Sequence, residues 1–212
     1  MKSILLLFFY GISVFALSEN SAEEKIAIYI KNCNSIEDIV KIEIFKKKFP
    51  AIFKYYPDLN PINPKDNPRL GSLYSMKRIH PIEGIVKPHL GIDIVAKKNT
   101  PVYAAADGIA IRNVFYNGKA GNTVEIKHNY GFITKYFHLS VFIVKNGEQV
   151  KKGQIIGFLG TSGSSTGPHL HYEILKNTKH INPYHFLKSI PEEKTEITFP
   201  VPLPFGSKIS DN

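Results

Sequence analysis

Cysteine is nearly absent from this sequence. Cys33 is the only one in 212 residues, so no internal disulfide can form. Its place in a helical stretch marks it as a small buried hydrophobe rather than a reactive thiol. Long apolar runs are scarce too, apart from residues 4–15, a run too short to span a bilayer. That run follows Met1-Lys2 and precedes Ala16-Leu17-Ser18, the order of a basic head, short apolar stretch and small-residue exit in a secretory signal peptide, with a retained anchor as the alternative. With no cysteine after it, lipid attachment there is excluded. Acidic residues are few, 18 against 27 basic, for a net charge of +9. Cleavage after Ser18 would remove Lys2 alone and leave +8. The lysines are dispersed and form no nucleic-acid module, which excludes nucleic acid as a partner. A basic exported protein suits an anionic partner such as a cell-wall polymer or a membrane surface, through peripheral association with the envelope of a bacterium or its periplasm. Solubility accounts for the lysines equally well.

What is present describes a globular chain: 43% hydrophobic and 21% charged residues. Residues 19–56 form a small helical region. One helix opens at Ser21-Ala22-Glu23-Glu24; a second opens at Ser35 and runs through Ile39, Ile42 and Phe45 until Pro50 stops it. Residues 57–68 carry four prolines among Asn, Asp and Lys, the composition of a stiff, extended linker. Beyond it, short β-type runs at 101–105, 108–115, 122–128, 132–139, 154–160 and 169–175 are separated by Gly and Asn turns. Val124 and Ile126 alternate with Thr123, Glu125 and Lys127, as in a half-buried antiparallel strand. The pattern predicts an all-β domain of antiparallel sheets, sandwich- or barrel-like, over 69–188, closed by a turn at Asn182-Pro183. A Pro-rich tail covers 189–212.

Two histidine patterns could carry chemistry. In "PHLGIDI", His89 precedes Asp93 by four residues. A straight strand would separate them by about 13 Å, so if both hold one metal the chain must bend, and Gly91 is the residue that permits it. His89 is then expected in a loop and Asp93 at the start of a strand. In "STGPHLHYE", His169 and His171 share one face of a strand, about 6.6 Å apart along the backbone. Histidine, aspartate and histidine form a familiar zinc set, and three protein ligands leave a fourth position for water, as in catalytic sites. One histidine of the pair is left over for proton transfer, and spacing alone does not say which.

The segments "RIHPIEG", "HLGIDI", "TPVYAAADG", "YFHLS", "VKKGQIIGFLGTSGSSTGPHLHYEI" and "INPYHFL" resemble, in order, the catalytic domain of lysostaphin/LytM-type zinc endopeptidases. The resemblance covers roughly half the chain, from Arg78 to Leu187. It implies that His89, Asp93 and His171 hold one zinc ion per chain. It also implies that His138 and His169 flank zinc-bound water, one as base and the other as oxyanion donor. The implied activity is hydrolysis of peptide bonds in peptidoglycan cross-links. The chain departs from many members at Met76, where they carry glycine. The preceding "GTSGSSTGP" loop is expected to wall the groove. His80 reads as structural, His128 as a turn residue, and His180 and His185 as surface or packing groups. Glu83 and Glu173 read as members of a solvated face, with a role in orienting a ligand histidine as the alternative. The alternative is a non-catalytic regulator of another wall hydrolase on the same fold, but degenerate relatives of that kind lack ligands that are intact here. "NGEQVKKGQIIG" is similar to a biotinyl-carrier hairpin but lacks the modified-lysine context, and reads as a turn between strands.

Overall fold

The computed structural model describes residues 19–80, 83–113, 118–187 and 190. The signal-like residues 1–18, and all of the Pro-rich tail except Ile190, lie outside the described residues. Among the described residues, no helix is long and apolar enough to cross a membrane.

The described residues begin with α1 (Glu19–Asn32). Ser35 then caps α2 (Ile36–Lys41) by accepting a hydrogen bond from the Asp38 amide at 3.1 Å, which satisfies one of the orphan donors of a helix start. The second helical run does end before Pro50, as α2 followed by a 3-10 turn at Ile42–Phe45. Pro50 begins a new element, α3 (Pro50–Phe53), because proline at a first helical position lacks only an N–H that has no partner there.

Among the described residues, twelve strands follow. They are β1 (Arg69–Ser72), β2 (Ser75–Ile79), β3 (Val86–His89), β4 (Ile92–Val95), β5 (Pro101–Tyr103) and β6 (Gly108–Asn113). The rest are β7 (Asn122–Lys127), β8 (Phe132–Phe142), β9 (Gln149–Val150), β10 (Ile155–Leu159), β11 (His169–Lys176) and β12 (Lys179–Ile181). Ten form one antiparallel sheet with the path β1-β4-β11-β8-β7-β6-β9; β12 adds to β11, β10 to β8, and β5 to β10. The remaining two, β2 and β3, make a separate hairpin. The expectation of a mostly antiparallel β fold behind a short helical region therefore holds, and a 3-10 turn at Pro183–Phe186 closes the domain.

Alternation sorts these strands into two faces. Ile92 and Ile94 of β4, Leu170 and Tyr172 of β11, and Phe132 and Tyr136 of β8 are essentially inaccessible. The helical region joins this same core through Ile30, Ile39, Ile42 and Tyr56. Tyr56 stacks within 5.6 Å of Phe132 and 5.4 Å of Phe186. Lys176 donates from Nζ to the carbonyls of Lys31 at 3.0 Å and Tyr130 at 2.8 Å, tying the end of α1 to β11. The described helices thus buttress the core face.

The Pro-rich stretch, read as a stiff, extended linker, is packed onto the domain. Asp58, Asn60 and Ile62 are buried, and the Tyr103 amide donates to the Pro61 carbonyl at 2.9 Å. Asp58 is held by Lys46 and Lys152. The fixed φ of proline lowers the entropy of the unfolded chain, so a proline-dense segment is inexpensive to order when a surface exists to receive it.

Strand β8 contains one irregularity that matters below. Residues Asn122 and Val124 of β7 pair with Leu139 and Tyr136, so Phe137 and His138 together oppose Thr123 alone. This is a β-bulge. His138 adopts φ +60°, a left-handed conformation uncommon outside glycine. Its amide leaves the ladder and donates to the Ala120 carbonyl at 3.1 Å.

Candidate metal centre

The bend expected between His89 and Asp93 is present, but His89 ends β3 rather than lying in a loop, and Asp93 is the second residue of β4. The chain crosses from the small hairpin to the large sheet at Leu90-Gly91. Gly91 is required there for space, not for a positive φ. A Cβ on it would lie 2.5 Å from the Tyr172 carbonyl oxygen and 2.9 Å from two atoms of the His171 ring.

This crossing brings three ligand-type atoms together. His89 Nε2 is 3.1 Å from Asp93 Oδ1 and 3.0 Å from His171 Nδ1, and His171 Nδ1 is 2.8 Å from Asp93 Oδ1. Asp93 and His171 face each other directly across β4 and β11. The outward nitrogens are committed elsewhere. His89 Nδ1 donates to the Leu73 carbonyl at 2.7 Å, and His171 Nε2 donates to Glu173 Oε1 at 3.2 Å. With the outward nitrogens so engaged, the neutral form of each ring offers its inward lone pair to a central cation, which takes the place of the protons that otherwise bond to Asp93. Ligand atoms around a tetrahedral zinc sit about 3.3 Å apart, given bonds of about 2.0–2.1 Å. The donor set fits such an ion with a small expansion.

The electrostatics point the same way. Burial would disfavour the charged form of His171, but hydrogen bonds to Asp93 and Glu173 outweigh it and raise its pKa to about 9. Burial likewise opposes the Asp93 charge, yet the hydrogen bonds from His171 and His89 hold its carboxyl far below the usual range. A site that draws in protons this strongly also draws in a metal cation, and the two compete.

Glu173 is not on a solvated face. It is buried and links His171 to His180, whose Nε2 lies 3.0 Å from Glu173 Oε2. Burial opposes its charge, but these histidine contacts bring its pKa down to about 2. A carboxylate behind a ligand histidine fixes the ring's tautomer and orientation. The sequence did hold the signal, since period two puts Glu173 on the face of His169 and His171. His180, expected as a surface or packing group, is the far end of this link.

His138 and His169 stand beside the cluster. Their rings are 4.7 Å apart, and the ring of His138 is 6.4 Å from that of His171. His169 Nε2 lies 3.9 Å from Asp93 Oδ1. His138 Nδ1 donates to the Ser162 carbonyl at 2.8 Å, and His169 Nδ1 to the Gly167 carbonyl at 2.9 Å. Both rings thus keep a lone pair on Nε2. Burial lowers the pKa of His138 to about 4 against the opposing pull of the Ser162 carbonyl, so it is neutral at pH 7. Ser162 and Gly167 belong to the small-residue loop expected to wall the groove.

The other histidines divide. His80 shapes the hairpin turn, its amide donating to the Ile85 carbonyl at 2.8 Å and its Nδ1 accepting from the Glu83 amide at 3.1 Å. His185 is exposed. His128 is a buried bridge rather than a turn residue, joining the Asp107 carbonyl at 2.7 Å to Thr134 Oγ1 at 2.8 Å. Glu83 is exposed and paired with Lys87 and Lys119.

Residues 87–183 match the profile of Peptidase family M23. The peptidoglycan DD-endopeptidase ShyC of Vibrio cholerae is 49% identical over 121 residues, covering 57% of this chain and 28% of that protein. A crystal structure of a zinc containing peptidase from Vibrio cholerae superposes with a TM-score of 0.53 at 37% identity, covering 62% of this chain and 39% of that one. The catalytic domain of lysostaphin from Staphylococcus simulans gives a TM-score of 0.50 at 34% identity, with 57% of this chain and 92% of that one covered. The chain spans about a quarter to a third of the length of the curated relatives it matches. With the lysostaphin catalytic domain covered almost throughout, and all five histidine and aspartate positions inside the matched segment, this chain belongs to peptidase family M23.

Proposed function

We propose that the protein is an exported zinc endopeptidase that hydrolyses peptide bonds in peptidoglycan cross-links. The observation that carries this reading is the convergence of His89 Nε2, Asp93 Oδ1 and His171 Nδ1 within 3.1 Å of one another. His89, Asp93 and His171 would hold the ion. When bound, zinc supplies a Lewis acid and makes hydroxide available near neutral pH.

The protein's own residues handle the protons. His169 and His138 each present a lone pair at Nε2, fixed by the hydrogen bond at Nδ1. From there they accept a proton from the attacking water and return it to the leaving amine. One water is consumed, the C–N bond breaks, and a carboxylate and an amine form. His169, nearer to Asp93, is the group better placed for this transfer, with His138 packed against its ring. Left-handed backbone at His138 is the kind of strain that accumulates at working sites. Glu173 and His180 orient His171. Export to the periplasm or envelope is supported by the composition of residues 1–18, and the basic charge suits an anionic wall.

The test is incubation of the zinc-loaded chain with isolated peptidoglycan, followed by mass spectrometry of the released fragments. New amine termini are expected, and their loss in His171→Ala ties them to the centre. A chain that binds one zinc but releases nothing overturns the reading in favour of a regulator of another hydrolase.

A further inference from the structure

The open face of the sheet continues beyond the metal centre. His169 pairs with Val95, and Val95 pairs with Arg69 on the next strand. Residues directly opposed in antiparallel strands point to the same face. Burial agrees, since Leu70, Ile94 and Leu170 are buried on the other side while Arg69, Val95 and His169 alternate with them. Two interstrand spacings put Arg69 about 10 Å from His169, on the face that carries the proton-transfer groups.

A groove of about 450 Å³ opens there. Lys65, Arg69 and Lys97 line it with Asp66, over an apolar floor of Val95 and Ala96. Among the described lining residues, three are cations and one is a carboxylate, so the lining is positive. The nearby Asp93 does not offset this, because its charge is engaged by His89 and His171. Cationic walls above an aliphatic floor match a carboxylate carried on a short aliphatic stem, as in an acidic residue or a C-terminal residue of a peptide.

We propose that this groove is a carboxylate-binding subsite, holding an acidic group of the peptide about three extended residues from the bond that is cut. The inference rests on the peptidase reading above and adds to it the substrate's charge and where that charge sits. Charge complementarity of this kind sets register as much as affinity. Here it would fix which peptide bond reaches His169.

The test uses two synthetic cross-linked peptide dimers, one with free carboxylates and one with carboxamides in their place, cleaved by the zinc-loaded chain. KM for the free-carboxylate dimer is expected to be lower by roughly tenfold, the effect of one good charge-assisted contact. In the double variant Arg69→Gln/Lys97→Gln, which should still carry one zinc per chain, the ratio of the two KM values should fall toward one. It should also shrink between about 0.05 M and about 0.5 M salt as exposed charges are screened. Equal KM values in the unaltered protein, or an unchanged ratio in a double variant that retains zinc, overturns the subsite and leaves the peptidase reading standing. Failure of the zinc-loaded protein to cut either dimer overturns both.

Discussion

Strands β4 and β11 present two surfaces one residue apart, and the two obey different rules. On one, Ile92, Ile94, Leu170 and Tyr172 are fully buried. On the other, Asp93, His169 and His171 converge with His89 from the neighbouring hairpin. The buried surface needs volume and apolar area, which many side chains could supply and which acts roughly in proportion to area. The open surface needs particular atoms at particular distances, and those distances depend on groups behind them: the Leu73 carbonyl, Glu173 and the Ser162 carbonyl. Stability is therefore concentrated on one face and chemistry on the other, with the same backbone serving both.

The separation can be attacked from either side. Ile94→Ala should cost about 2–5 kcal/mol of stability, from lost burial and a partly collapsed cavity. At temperatures where the variant stays folded it should still bind one zinc. Denaturant melts and zinc titration check this, and a folded variant without zinc affinity would show that the faces are not separable.

Acid tests the buried side through His128. Burial, opposed only weakly by the Asp107 carbonyl, lowers its pKa to about 4, whereas an unfolded histidine titrates near 6.5. As pH falls through this window the unfolded chain takes up a proton that the folded chain refuses. The contribution of His128 to stability is thus full above about pH 6.5 and falls by roughly 3 kcal/mol by about pH 4, and the buried His138 adds a loss of the same sign in the same window. Melting temperatures measured between these limits should drop accordingly; a flat profile in zinc-free protein would exclude a buried neutral His128.

Glu173→Gln should produce the smallest of the three effects and the most selective. Zinc affinity should fall about 10- to 100-fold, because the ring of His171 loses its orienting carboxylate. A chelator competition read by a zinc indicator distinguishes this from general damage.

Much of this was legible in the residues. Period two exposed the strands of the sheet, and the two histidine patterns named His89, Asp93, His169 and His171, while His138 came only from the family resemblance. What escaped notice depended on partners far along the chain. Glu173 looks solvated until β12 brings His180 to it. The Pro-rich segment looks like a spacer until Lys46 and Lys152 are seen to hold Asp58 from both sides. Gly91 looked like a hinge, and its reason is the oxygen of Tyr172 across the sheet. In each case the local sequence carries one half of a contact whose other half lies on a different element.

The bulge at Phe137-His138 has an engineering consequence. Before it, Phe132, Thr134 and Tyr136 turn inward; after it, Leu139 does. The extra residue shifts the strand's phase by one, so β8 can serve β11 with one half and β10 with the other. It also turns His138 to His169. A designer who transplanted the five side chains onto a regular sheet would find one of them pointing the wrong way. The portable unit is the side-chain set together with its defect in the strand.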